Sequence, residues 1–320
     1  MPVRVSRLAI LLIVAVALGM VALAVFATDW AALLAALGSL QFWQLAVLLG
    51  LSAVNYLLRA LRWRLCVRAL GLQTRAWGDI LTYLGGFGLT LTPGRLGELV
   101  RLRWLARDSG APLARVAPMG LVDRASDLLA VALLLALSVS LASGLSRAAP
   151  VALVAALVAV LATRPRLLMA LTGFGWRMTG RAGGKIARAF ATIRHAARQL
   201  RVFSAPAIAL PAIALGLIGW FAEGYAFALL LGWMGAPIDL WLAIGIFVFA
   251  MLGGGATGLP GGLGGAEAAL LGLLGLAAVP LAIALPATLI IRATTLWFAI
   301  VIGLVLLPFA ERAQRPEPRA

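Results

Sequence analysis

The chain has 320 residues, 63% of them apolar and 12% charged, and its 27 basic against 11 acidic residues give a formal net charge of +16. A soluble globular protein carries roughly 45–50% apolar and about 25% charged residues, which excludes that class. The balance is not that of a nucleic-acid binder either, because the cations, 26 of them arginine, alternate with apolar runs long enough to cross a bilayer. The expected class is an all-α, polytopic helical membrane protein.

A hydrocarbon core of about 30 Å takes about 20 helical residues. In chain order, six full spans are predicted: Leu8–Ala27, Gln41–Leu58, Gly120–Ala142, Ala148–Thr163, Ala207–Gly232 and Leu281–Leu307. Lys and Arg in short loops set the sidedness. Of the 27 cations, 24 fall on the cytoplasmic side of this arrangement, Arg147 falls outside, and Arg124 and Arg292 fall within spans. Both termini are therefore expected in the cytoplasm. Residues 1–310 read as a single transmembrane domain that includes a basic amphipathic cytoplasmic loop, 164–206, suited to lie on anionic lipid. Residues 311–320 read as a disordered tail.

Two apolar regions are interrupted. Trp77–Pro118 begins and ends inside, so it is predicted to be a re-entrant hairpin: "WGDILTYLGGFGLTLT" enters, Pro93-Gly94 breaks, and "GRLGELVRLRWLAR" returns. Asp239–Pro280 begins and ends outside. Its limb "LWLAIGIFVFAML" meets the breaker "GGGATGLPGGLGG", and the 12 residues of Glu267–Ala278 reach only about 18 Å, too short to cross. Each break reads Pro-Gly-x-Leu-Gly followed by an acid, Glu98 in the first and Glu267 in the second. Two such segments of opposite orientation point to a transporter site near the midplane and are compatible with an inverted repeat. Non-helical backbone at that depth must be buried in protein or line a cavity.

Charges within the apolar regions supply the candidate site. A central Arg or Asp costs about 2.5–3.5 kcal/mol on insertion scales, so each needs a partner or a purpose. Asp123, Arg124 and Asp127 open one span, Glu223 lies in another beside Trp220 and Tyr225, and Arg292 lies in the last. Internal pairing is one reading, Arg124 with Glu98, or Arg292 with Glu267 or Glu223. The other is a cavity for an anionic head group, in which Gly261, Gly262 and Gly264 present backbone N–H donors and Arg95 and Arg101 add a charged fork. Arg59 and Arg62, in "NYLLRALRW", are either interface anchors or head-group contacts. With one cysteine, Cys66, and one histidine, His195, an intrachain disulfide is impossible, and no metal or other cofactor is expected. The phosphate-binding pattern of an ATPase is missing from the sequence.

The segments "LTPGRLGELVRLRWL", "VDRASDLLAV", "GLPGGLGGAEAALLGLLGL" and "LIIRATTLWFAIVIGLVLL", with "NYLLRALRW" before them, resemble the lysylphosphatidylglycerol synthase transmembrane, or flippase-like, family over about Leu40 to Leu307. The resemblance implies a lipid-translocating domain of the bacterial inner membrane. Its ligand would be an anionic phospholipid or a lipid phosphate. Its polar core would be Arg95, Glu98, Arg101, Asp123, Arg124, Asp127, Glu267 and Arg292. Two departures matter. A soluble aminoacyl-transfer domain is not expected after the last span, so synthase activity is not carried over. Ala266 stands where many members have an Arg, which puts a charge pair at that point in doubt. The expected function is a flippase. The alternative is an enzymatic or accessory membrane component of lipid or glycolipid biosynthesis (polyprenyl-phosphate or hopanoid), with other lipid-biosynthesis proteins as partners. The oligomeric state stays open.

Overall fold

The computed structural model describes residues 40–90, 96–143, 205–257 and 259–313, together with residues 38 and 203. All the elements among them are helical, as expected for backbone that must satisfy its own hydrogen bonds in lipid. Helix α1 is Phe42–Ala69. The first interrupted region follows as α2 (Ala76–Gly85), a 3-10 turn at Gly86–Leu89, α3 (Leu96–Ser109) and a single turn, α4 (Leu113–Val116). Helices α5 (Pro118–Ser143) and α6 (Pro206–Trp233) are long and apolar. The second interrupted region is α7 (Leu240–Ala256), a 3-10 turn at Pro260–Gly262 and α8 (Gly265–Leu276). The chain ends in a rod made of α9 (Leu281–Arg292), a π turn at Ala293–Trp297 and α10 (Phe298–Ala313).

Four helical stretches, Phe42–Ala69, Pro118–Ala142, Pro206–Trp233 and Leu281–Arg312, are long and apolar enough to cross a membrane. They coincide with four of the expected spans. The expected spans Leu8–Ala27 and Ala148–Thr163, and almost all of the loop 164–206, lie outside the described residues. Two boundaries differ from expectation. Helix α1 runs on from Leu58 to Ala69, because Leu, Ala and Arg sustain a helix and its arginines find buried acids. Helix α10 runs to Ala313, into the segment read as tail.

The second break is built from glycine. Gly261, Gly262 and Gly264 have φ of +63°, +66° and +77°, a region other residues enter only with strain. A Cβ on Gly262 would also come within 3.0 Å of the Gly254 backbone. On the far side, Asp239 caps α7 by accepting from the N–H groups of Trp241 and Leu242, both at 3.0 Å.

Helix α1 packs along α6, α10 packs along α2 and its 3-10 turn, and α7 lies against α5, α6 and α8. Lipid tails are as apolar as Leu, so helices associate through close backbone approach. A Cβ on Gly88 would sit 2.9 Å from the Gly303 carbonyl carbon, and one on Gly216 would sit 2.9 Å from Ala130 Cβ. The apolar interior forms two main clusters. One surrounds Phe227, Ile244, Phe247, Leu270 and Ile290; the other surrounds Tyr56, Trp63, Tyr83, Phe87 and Met119.

Candidate functional site

A cavity of about 210 Å³ lies between the two clusters. Gly86, Phe87, Leu89 and Thr90, at the end of the first limb of one interrupted region, form part of its wall. Gly255, Gly261, Gly262 and Ala266, around the break of the other, form another part. The remaining wall comes from Tyr56 and Arg59 of α1, Arg101 of α3, Arg124 of α5, Trp220 and Glu223 of α6, Met251 of α7, and Arg292 with Thr295, Leu296 and Ala299 of the terminal rod.

Behind the wall is an ion-pair network. Asp123 and Asp127, four residues apart, share one face of α5, and Arg59 and Arg62 share one face of α1. Arg62 Nη2 lies 2.7 Å from both Asp123 Oδ1 and Asp127 Oδ1, and Arg59 Nη2 lies 2.6 Å from Asp127 Oδ2. The Tyr83 hydroxyl donates to Asp123 at 3.3 Å, and Arg101 Nη1 stands 3.8 Å from the same carboxylate. The Arg62 side chain is only 1% exposed and takes no part in the wall, whereas Arg59 reaches both Asp127 and the cavity. Aromatic faces hold the two wall arginines. The Arg59 guanidinium is 5.9 Å from the ring centroids of Phe87 and Trp220, and that of Arg101 is 4.6 Å from Tyr83 and 5.8 Å from Trp63.

Arg292 holds the second break. Its Nε donates to Glu267 Oε1 at 2.6 Å, its Nη2 donates to the Gly261 carbonyl at 2.7 Å, and its Nη1 lies 3.5 Å from Met251 Sδ. Of the two acids expected opposite Arg292, Glu267 is the one it pairs with, which answers the doubt raised by Ala266: the cation opposite Glu267 comes from α9; the expected pairing of Arg124 with Glu98 involves a side chain outside the described residues. The residues after Arg292 widen into the π turn, where Thr294 and Thr295 hydroxyls back-bond to the Ile290 and Ile291 carbonyls. The Tyr56 hydroxyl donates to the Thr295 carbonyl, tying α1 to the turn. Single π turns inside α-helices are frequent at functional sites.

Of the residues singled out from the sequence, Arg59, Arg101, Arg124, Glu223, Gly261, Gly262 and Arg292 line the cavity. Arg62, Asp123 and Asp127 form the network behind it, and Glu267 is paired with Arg292. Gly264 is the N-cap residue of α8 and is not among the wall residues. Arg95 and the Glu98 side chain lie outside the described residues. Sequence reasoning did not assign roles to Tyr56, Tyr83 or Thr295. The spacing of Tyr56, Arg59 and Trp63, at three- and four-residue steps on one helix face, was the available signal for the first. Among the described residues, no three of His, Cys, Asp or Glu gather to hold a metal.

Trp220 Nε1, Arg59 Nε and Arg101 Nε are buried without a hydrogen-bond partner.

The sequence matches, over residues 10–303, the family described as "Lysylphosphatidylglycerol synthase TM region". No curated protein sequence matches the chain.

Proposed function

The chain belongs to the lysylphosphatidylglycerol synthase transmembrane family, and from that premise we propose that it is a lipid translocase of the bacterial inner membrane, with both termini cytoplasmic. A phosphate-bearing head group enters the polar cavity while the acyl chains stay in lipid. One observation carries this reading: two separate interrupted segments contribute to the wall of a single arginine-lined cavity. Broken helices that meet at a polar cavity are the arrangement transporters use to hold a charged group at membrane depth. Arginine suits phosphate because its planar fork matches two phosphate oxygens.

The test is reconstitution into vesicles that contain a phospholipid labelled on its acyl chain, with a membrane-impermeant quencher added outside. The expected result is a quenched fraction above that of protein-free vesicles. Arg101→Ala and Arg292→Ala protein that elutes as a single species with unchanged helical circular dichroism should lose the excess. Quenching equal to protein-free vesicles for every lipid tried would sink the reading. New product formed from a lipid phosphate under those conditions would favour the biosynthetic alternative.

A further inference from the structure

We infer that Glu223 is a proton-binding site and that the protein moves one proton with each lipid phosphate it carries. The inference rests on the translocation reading and adds a second cargo to it, whatever substituent the phosphate bears. It follows from which buried acid has no cation of its own.

Glu223 is the one charged residue of α6. It is 5% exposed and lines the cavity. The other acids close to the cavity are committed: Asp127 to Arg59 and Arg62, Asp123 to Arg62, and Glu267 to Arg292. Changing the charge of any of these breaks a pair and strands a buried arginine, which is costly. Glu223 belongs to none of the ion pairs among the described residues, so its proton can come and go without breaking one. An ionisable residue within a membrane span is by default a candidate for an ion or proton path.

The groups that act on Glu223 come from the helices packed against α6. They are Arg59, Tyr56 and the Asn55 amide of α1, Asp127 of α5 and Arg292 of α9. Arg124 of α5 lines the same cavity, and α7 brings no titratable side chain. Tyr225, the other titratable residue of α6, is 37% exposed and takes no part in the wall. Gly219 and Glu223, four residues apart, share a face of α6, and a Cβ on Gly219 would lie 2.4 Å from Asn55 Oδ1. That face therefore meets Asn55, whose buried amide has no completed hydrogen bond. An amide donates to a carboxylate and accepts from a carboxyl, so it serves both states of the acid, whereas arginine only donates.

The coupling follows from charge. In the empty cavity, ionised Glu223 stands in the field of Arg59 and Arg292. A lipid phosphate brings one negative charge and draws on the same two wall arginines. Two anions sharing about 210 Å³, where solvent screens less than in bulk, repel each other. As the phosphate enters, Glu223 takes a proton from water on that side and forms an O–H bond. As the phosphate leaves, that bond breaks and the proton returns to water on the other side. The negative charge of the phosphate and the positive charge of the proton cross together. By linkage, protonation of Glu223 raises phosphate affinity by the factor by which phosphate raises proton affinity.

The experiment sets a pH gradient across phosphatidylcholine vesicles that hold the protein and acyl-labelled phosphatidylglycerol, and reads the leaflets by quenching. Label should gather in the leaflet facing the alkaline side, toward about a tenfold ratio for a gradient of about one pH unit at one proton per lipid. A potassium diffusion potential at equal pH should not move it. Glu223→Gln keeps the shape of the protonated acid but has no proton to release, and should abolish the accumulation; Tyr225→Phe should retain it. Exchange that leaves the leaflets equal under the gradient overturns the coupling and leaves translocation standing. Accumulation undiminished in folded Glu223→Gln protein overturns the assignment to Glu223. A second readout needs no transport: proton uptake in weakly buffered detergent solution on adding glycerophosphoglycerol, followed with a pH indicator dye. Wild type should take up about one proton per bound head group and Glu223→Gln none. Where no lipid exchanges, the translocation reading fails and this uptake decides alone. Uptake by wild type that Glu223→Gln lacks upholds the proton site, and uptake that is absent from wild type at every pH tried, or equal in the variant, overturns it. Should Glu223→Gln not fold, accumulation and uptake by wild type still decide whether a proton moves with the phosphate.

Discussion

Arg292 Nε donates to Glu267 Oε1 at 2.6 Å, and this bond joins the end of α9 to the first turn of α8. The same guanidinium reaches the Gly261 carbonyl and approaches Met251 Sδ, so one side chain touches both helices of the second interrupted region and the turn between them. That region contributes part of the cavity wall. Its position therefore depends on an ion pair, and an anion in the cavity competes with Glu267 and Gly261 for the same donors.

Removing the acid tests this dependence. The Glu267 side chain is 24% exposed and that of Arg292 is 7% exposed. A hydrogen bond to a charged group is worth about 1.5–3 kcal/mol, and partial exposure places this one toward the lower end. Glu267→Ala should lower the thermal midpoint in detergent, and Glu267→Gln, which keeps an acceptor oxygen, should lower it less. Equal midpoints for wild type and Glu267→Ala would show that the break holds without the pair.

Arg59 and Arg62 differ by one turn of α1 and are expected to differ in kind. Arg62 is buried between Asp123 and Asp127 and takes no part in the cavity wall. Arg62→Met removes a cation between two buried acids, and a broken buried pair costs about 3–5 kcal/mol. Poor yield or a large fall in midpoint should follow. Arg59→Met leaves Asp127 paired with Arg62 and should cost about 1–2 kcal/mol, while it takes a cation out of the cavity wall. Lipid exchange by Arg59→Met protein should fall at least tenfold although the protein folds. The reverse pattern, stable Arg62→Met and unstable Arg59→Met, would exchange the two roles.

The membrane-spanning helices are legible in the sequence because the bilayer acts on composition. A run such as Pro206–Trp233 has to be helical and apolar wherever its neighbours lie. The second break is legible for a related reason, since Gly261, Gly262 and Gly264 occupy backbone conformations that punish other residues. That Asp123 and Asp127 face the same way follows from their spacing. What completes the network does not. Arg62 and Arg124 are equally plausible partners until the rotation of α1 against α5 is known, and that rotation is fixed by contacts between distant segments. Arg59 and Arg62 look alike in sequence for the same reason: their difference is depth. The π turn after Arg292 carries neither Gly nor Pro, and it is recognised only once Tyr56 is seen against the Thr295 carbonyl.

Two glycine substitutions separate close packing from composition. An added Cβ on Gly303 would run into the backbone of Gly88, where α10 crosses the end of the first limb. Backbone cannot rotate away as a side chain does, so Gly303→Ala must push the limb and α10 apart. Overpacking of this kind costs about 1–3 kcal/mol. The displacement also moves Phe87 and Thr90, which line the cavity, so lipid exchange should fall together with the thermal midpoint. Gly272, on α8, has nothing within 4 Å of the position a Cβ would take. Gly272→Ala should leave exchange intact and raise stability by up to about 1 kcal/mol through helix propensity. Matched midpoints for the two variants would show that the Gly88–Gly303 approach is not what holds the first limb against α10.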